Sequence, residues 1–405
     1  MAGRAAWSLL FLLISASLLL RSPLLFLLTA LAVVVIGASA LWERYCLANV
    51  TYRRRFGAER LVCGEETDVW VEIANAKPLP LAWLKIADEF PSEFTVRGIS
   101  LGQSGLGKRR MLTNILSMRW YERVRRHYWL VARQRGAFEF GPVTLSSGDL
   151  FGFRTRSEDI AYKQTLLVYP KLVPLERLGL RPARPMGEFR AARRVVADPL
   201  RMAGARDYQP GDNVRHIHWK ATARRGTLQT KVFDPSASPH LVVCLNSHTF
   251  ERAYEGVITD YLETAIVVAA SITHAGLEAR HPVGLFTNGV VRGTERRLRL
   301  PASRHHGQNI RILEALARMT YFAYMSFESL LRLEAPHLPY GATVIAVSAV
   351  VSEAILSALL DLRAAGHPVA LVAVGGHALP TLPPGLPVYA VTQNWTEMES
   401  LSLPG

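Results

Sequence analysis

The chain has 405 residues, 49% hydrophobic and 20% charged, which excludes a disordered polymer and leaves room for two or three folded domains. The net charge of +14 suits an anionic membrane surface or nucleic acid. Three cysteines, Cys46, Cys63 and Cys244, lie far apart; they exclude a disulfide framework and a zinc site and fit a reducing compartment.

Two uncharged apolar runs open the chain, Ala5 to Leu20 and Leu24 to Leu41, separated by Arg21-Ser22-Pro23. At about 1.5 Å per residue each approaches the hydrocarbon thickness of a bilayer. Pro23 lacks the N–H that a tight turn would leave unpaired, and it suits the first turn of a helix. The reading is a transmembrane helical hairpin over residues 1–44. A signal peptide, one kinked span and a buried soluble helix pair are the alternatives. Arg4 precedes the first run, Arg44 and Arg53 to Arg55 follow the second, and only Arg21 lies between them. The positive-inside rule then puts both ends in the cytoplasm. A multi-pass protein of a bacterial inner membrane with a cytoplasmic body is expected.

Residues 45–175 read as a β-sandwich domain. Thr67 to Ile73 alternates with period 2, Leu81 to Ile86 is similar, and His127 to Ala132 and Leu166 to Tyr169 are further candidate strands. Turn signals recur at Gly64-Glu65, Asn75 to Pro80, Arg135-Gly136, Gly141-Pro142 and Gly148-Asp149. Gly102 to Arg109 (GQSGLGKR) mimics a phosphate loop but ends in Arg, where Ser or Thr would hold Mg²⁺. A loop between strands is the better reading.

Residues 187–405 read as an α/β domain with a doubly wound, mainly parallel sheet. Strands are expected at His240 to Leu245, His281 to Phe286, Ala342 to Val347, Pro368 to Val374 and Pro387 to Val391. Helices are expected at Tyr254 to Ala275, Asn309 to Met319 and Glu353 to Ala365. Ligands of such sheets sit at the carboxyl ends of strands, so Asn246 to Thr249, Ser348 and the segment after Val374 are the places to look.

Arg206 to Arg224 (RDYQPGDNVRHIHWKATAR) is the densest polar segment. Pro210-Gly211 reads as a turn and Asp212 as a cap for the residues after it. The arginines can pair with Asp207 and Asp212 or with an external anion. His216 and His218 share one face if the segment is a strand, and Asp212 is near, so a metal can be imagined; two ligands and a capping carboxylate are not a complete site. Structural hydrogen bonding is the simpler reading, with nucleic-acid contact through the arginines and Trp219 a third.

This segment, with LQTKVFDPSASPHLVVCLN at Leu228 to Asn246, resembles the bacterial membrane-anchored family called domain of unknown function 58. Arg135-Gly136, GDLFGF at Gly148 to Phe153, VYP at Val168 to Pro170 and the run from Val344 to Gly375 support the resemblance. The motif residues are Arg206, Tyr208, Gly211, Asp212, Arg215, His218, Trp219 and Arg224. The resemblance implies a C-terminal domain similar to von Willebrand factor A. Such domains often bind Mg²⁺ through Asp-x-Ser-x-Ser after the first strand. Here Asn246, His248 and Phe250 replace the Asp and the two Ser, so no metal and no cofactor is expected. Ser247 and Thr249 remain as oxygen donors, out of phase.

The resemblance also implies work beside a MoxR-type AAA+ ATPase. The expectation is a membrane-tethered, non-enzymatic interaction or assembly protein. Its partners would be that ATPase, membrane lipid and other envelope or membrane proteins, and not nucleic acid. The alternatives are a hydrolase using Asp212, His216 and His218, or a basic nucleic-acid-binding module.

Overall fold

The computed structural model describes residues 14–15, 23–105, 107–149, 154–174, 202–209, 217–233, 240–251, 255–293, 297–339, 341–376 and 380–399. The chain forms two compact units, Met1–Pro170 and Lys171–Gly405.

The first unit opens with helix α1 (Pro23–Tyr45), which begins at proline and matches the second expected span. Among the described residues it is the one helix long and apolar enough to cross a membrane, with a mean hydropathy of 2.7. Leu24, Phe26, Leu27, Leu31 and Val34 are exposed along it. The first expected span, Ala5 to Leu20, lies outside the described residues except Ile14 and Ser15, which are helical.

Twelve strands follow. They are β1 (Val50–Phe56), β2 (Arg60–Val62), β3 (Glu66–Asn75), β4 (Leu81–Pro91), β5 (Phe94–Val96) and β6 (Gly102–Gln103), then β7 (Arg109–Met118), β8 (Arg123–Ala132), β9 (Gly136–Phe140), β10 (Val143–Gly148), β11 (Thr155–Ile160) and β12 (Gln164–Tyr169). They form sheets in the orders β1-β3-β8-β5, β11-β10-β4-β7-β6 and β2-β12-β9. The period-2 pattern of β3 turns Val69, Val71 and Ile73 inward, where they share one core with Leu84, Ile86 and Phe90 of β4. Each such side chain contributes about 1.5–3 kcal/mol of burial free energy. The Gly-rich GQSGLGKR segment is the β6–β7 hairpin, Gln103 pairing with Arg110; with a strand rather than a helix after it, it is not built as a phosphate loop.

Arg53 to Arg55, the charges that follow the second apolar run, are part of β1, the strand pairing with β3. Alternation exposes Arg53 and Arg55 and buries Arg54, which is 1% exposed.

The second unit opens with a ribbon of β13 (Met202–Asp207) and β14 (Gln229–Phe233), with helix α2 (Trp219–Arg225) between them in the chain. The remaining elements are β15 (Leu241–Leu245), α3 (Thr259–Glu278), β16 (Val283–Thr287), β17 (Gly289–Val291), β18 (Arg299–Ser303), α4 (Gln308–Arg318), β19 (Met319–Ala323), α5 (Phe327–Glu334), β20 (Thr343–Ser348), α6 (Glu353–Ala364), β21 (Val369–Val374) and β22 (Val388–Val391). The six-stranded sheet runs β18-β16-β15-β20-β21-β22, parallel except for the antiparallel edge strand β18.

Helices cover both faces. Val242 and Cys244 of β15 pack with Phe327, Leu331 and Leu359 of α5 and α6, while Leu241 abuts Gly276 of α3. Burial on both sides explains why β15, β20 and β21 read as unbroken apolar runs. The expected helix at Tyr254 to Ala275 lies later, at α3. Edge strand β18, the β17–β19 ribbon and α5 were not expected; their short segments carry too little periodicity to read.

Candidate functional site

The motif segment is tied together by its own polar groups. Gln229, at the start of β14, pairs with Asp207 at the end of β13. Gln229 Nε2 donates to Asp207 Oδ1 and, at 3.2 Å, to Thr227 Oγ1. The Tyr208 N–H donates to the Leu228 carbonyl at 2.9 Å, and the His218 N–H to the Gln229 carbonyl at 2.7 Å. His218 caps α2: its Nδ1 accepts the Ala221 N–H at 3.1 Å. That nitrogen is an acceptor, so the neutral ring carries its proton on Nε2. Gly226 ends the helix in the left-handed conformation at φ 72°, donating to the Thr222 carbonyl.

Arg206, Trp219 and Arg224 are exposed, Trp219 at 68%. An open cavity of about 420 Å³ is lined by Ala205, His218, Lys220, Ala221, Arg224, Arg225 and Gln229. Among the described residues three cations and no carboxylate line it, a composition suited to an anion. Gly211, Asp212, Arg215 and His216 lie outside the described residues.

The carboxyl end of the large sheet holds a second constellation. The chain runs from β15 to β16 on one side, then crosses to β20 on the other, so the crevice between β15 and β20 is the topological switch point. Asn246 Nδ2 donates to Ser348 Oγ at 2.8 Å, and Asn288 Nδ2 donates to Asn246 Oδ1 at 2.9 Å and to the Met325 carbonyl at 3.1 Å. Asn288 Oδ1 accepts from the Ser247 N–H at 2.8 Å and from Ser247 Oγ at 3.1 Å. Asn246 Oδ1 also accepts the His248 N–H at 3.0 Å. Both amides use their donors and acceptors within the protein, and Asn246, Ser247, Asn288 and Ser348 are all at most 2% exposed.

Thr249 Oγ1 is likewise engaged, accepting the Ile258 N–H at 2.8 Å. His248 is half-buried, and burial holds its imidazole below the usual histidine range; Phe250 is half-buried beside it. Asn246 therefore sits in a closed, neutral network rather than in an open cluster of oxygens. Asn288 was not foreseen, although it follows β16 as Asn246 follows β15. Among the described residues no group of three or more His, Cys, Asp or Glu is disposed to hold a metal ion.

The third constellation joins α1 to the β unit. Ser39 Oγ donates to Asp149 Oδ2 at 2.5 Å, and the Arg154 N–H donates to Asp149 Oδ1 at 3.2 Å. Arg154 Nη1 pairs with Glu43 at 2.9 Å, and Arg156 Nη1 donates to the Arg44 carbonyl at 3.1 Å. Cys46 and Leu47 are buried in the sandwich core directly after the helix. Gly148 has a physical reason: a Cβ there would lie 2.3 Å from the Arg154 carbonyl oxygen and would push apart the strands that present Asp149. The helix thus enters the β unit without a flexible linker.

Residues 204–383, the ribbon and most of the α/β sheet, match the family described as "Protein of unknown function DUF58". An uncharacterized protein of Bacillus subtilis, YeaD, is 27% identical over 254 residues, 60% of this chain and 57% of that protein. The chain thus aligns with little more than half the length of this curated relative. Solved structures similar to part of the chain include a cohesin module from Clostridium perfringens at 12% identity, over 30% of this chain and 95% of that one, with a TM-score of 0.20. The CARDB domain of a Pyrococcus furiosus protein is similar at 10% identity, over 29% of this chain and 91% of that one, with a TM-score of 0.18.

Proposed function

We propose that this protein is a membrane-tethered, non-enzymatic interaction protein that serves assembly of membrane or envelope complexes beside a MoxR-type AAA+ ATPase. The observation that carries the reading is α1, an exposed apolar helix bonded at its end to a folded β unit through Ser39, Glu43 and Arg44. An exposed apolar helix of this length needs lipid around it. With Ala5 to Leu20 as the partner span it makes a hairpin. Removing Arg54 from the charge count leaves Arg4, Arg44, Arg53 and Arg55 against Arg21, which still favours a cytoplasmic body at a bacterial inner membrane.

A von Willebrand factor A-like second unit is supported by the strand order with its single antiparallel edge. In this reading its switch point is a docking face without Mg²⁺, since neutral amides fill it. The hydrolase alternative is weakened because the Nδ1 of His218 is committed to a helix cap. The test is co-purification from detergent after crosslinking in cells. Recovery of a MoxR-type ATPase supports the proposal; repeated failure with stable, carbonate-resistant protein sinks it.

A further inference from the structure

We propose that the end of the β unit from which α1 emerges lies against the bilayer surface. There the β7–β8 turn seats Trp120 and Tyr121 among the lipid headgroups. This rests on α1 being a membrane span.

Strand register locates the turn. Val50 at the start of β1 pairs with Asn75 at the end of β3, and Ala74 pairs with Arg123 at the start of β8. Leu81 at the start of β4 pairs with Met118 at the end of β7, and Ser147 near the end of β10 pairs with Leu84. All these strand ends therefore lie at one end of the sandwich, and α1 docks there through Asp149, Arg154 and Arg156. The turn is held to the segment that follows α1. The Ala76 N–H donates to the Asn49 carbonyl at 3.0 Å, the Tyr121 N–H to the Lys77 carbonyl at 3.2 Å, and the Asn75 N–H to the Glu122 carbonyl at 2.9 Å. Asn75 Nδ2 also donates to the Arg119 carbonyl at 2.9 Å.

A turn with so constrained a backbone nevertheless leaves Trp120 65% and Tyr121 69% exposed. Two adjacent large aromatics held in water are unfavourable; at a membrane interface an apolar ring with a polar edge is at its preferred depth. Tyr45, 47% exposed on the last turn of α1, lies at the same end. Arg44, Arg119 and Arg123 are exposed there and would face anionic headgroups. The occupant is thus the lipid that already surrounds α1. Two attachments, the helix and the turn, would fix the tilt of the β unit.

The test uses the full chain in vesicles of zwitterionic and anionic phospholipid, some carrying bromine near the headgroup end of the acyl chains. Wild type should be quenched more than Trp120→Phe, and the difference should grow with the anionic fraction. A Trp120→Cys variant carrying an environment-sensitive dye should shift to the blue in vesicles. Equal quenching of wild type and Trp120→Phe, with an unshifted dye on carbonate-resistant protein, overturns the seat and leaves the anchor standing. Release of the protein by carbonate overturns the anchor and the seat together.

Discussion

The core of the β unit and the switch point of the α/β unit both bury polar groups, and they do it with opposite chemistry. In the β unit the group is ionic. Arg54 Nη1 donates to both oxygens of Asp88 at 2.5 and 2.6 Å, and Tyr52 donates its hydroxyl to the same carboxylate at 2.5 Å. The guanidinium lies 5.3–5.8 Å from the ring centres of Phe56, Phe90, Phe140 and Tyr162, and its Nε donates to Gln164 at 3.1 Å. At the switch point of the α/β unit the buried network is neutral, two amides and two hydroxyls; that unit's buried carboxylate, Glu334, lies apart from it and pairs with Arg299 at 3.1 Å and Arg297 at 3.4 Å. A buried ion pair tolerates the loss of neither partner, because the survivor stays charged in a medium that cannot solvate it. A neutral network loses only hydrogen bonds. The first therefore locks a core. The second fills the crevice where a sheet of this topology would otherwise place a ligand.

That contrast can be broken experimentally. Arg54→Ala should be the most damaging change, costing about 3–5 kcal/mol by leaving Asp88 unpaired, read as a shift in the urea midpoint of the β unit. Replacing both, as Arg54→Met with Asp88→Leu, should recover most of that loss. If the double variant is no better than the single one, the cost comes from packing rather than from the stranded charge.

Asp149→Ala should cost about 1–3 kcal/mol, because it strands the buried Ser39 hydroxyl and the Arg154 N–H. Hydrogen exchange should rise at Arg154 and at the last turn of α1; unchanged exchange would show that Cys46 and Trp42, a half-buried residue of α1 packed against the same core, hold the junction alone. Asn288→Ala should fall at the lower end of the same range, about 1 kcal/mol, since the groups it strands are neutral and the space its amide leaves is polar and can hold a water. Calorimetry of the α/β transition reads it.

The smallest effect concerns pH. Burial, and then the Asp88 carboxylate beside it, push the Tyr52 phenol well above its usual value. The folded state keeps that proton where the unfolded chain releases it, so stability is intact below pH of about 10 and falls as pH rises beyond it. Tyr52→Phe should be less stable at neutral pH yet lose less between pH of about 10 and about 11. Parallel alkaline unfolding curves for the two proteins would remove Tyr52 as the cause.

The strands legible in the sequence were those with a clear rule behind them. Alternation marked β3, and unbroken apolar runs marked β15, β20 and β21, because two-sided burial demands them. The Gly148-Asp149 pair was legible as a turn, but its role in holding Ser39 needs the 110-residue separation closed. Of the motif segment, His218 caps α2, a contact with a residue three positions on. Arg206 Nη1 donates to the Asp207 carbonyl at 3.1 Å, and Gln229 bonds the Asp207 carboxylate, a partner 22 residues away that the segment by itself does not name.

The sequence by itself determined the apolar run that becomes α1 and the β-rich and α/β halves, since each depends on local pattern or residue type. Only the tertiary structure decided which arginine of Arg53 to Arg55 leaves the surface. Identical side chains in a row differ only by which face of β1 they occupy, and that is set by pairing with β3. Only the tertiary structure brought Asn288 and Ser348 to Asn246, because a parallel sheet gathers the ends of strands far apart in the chain.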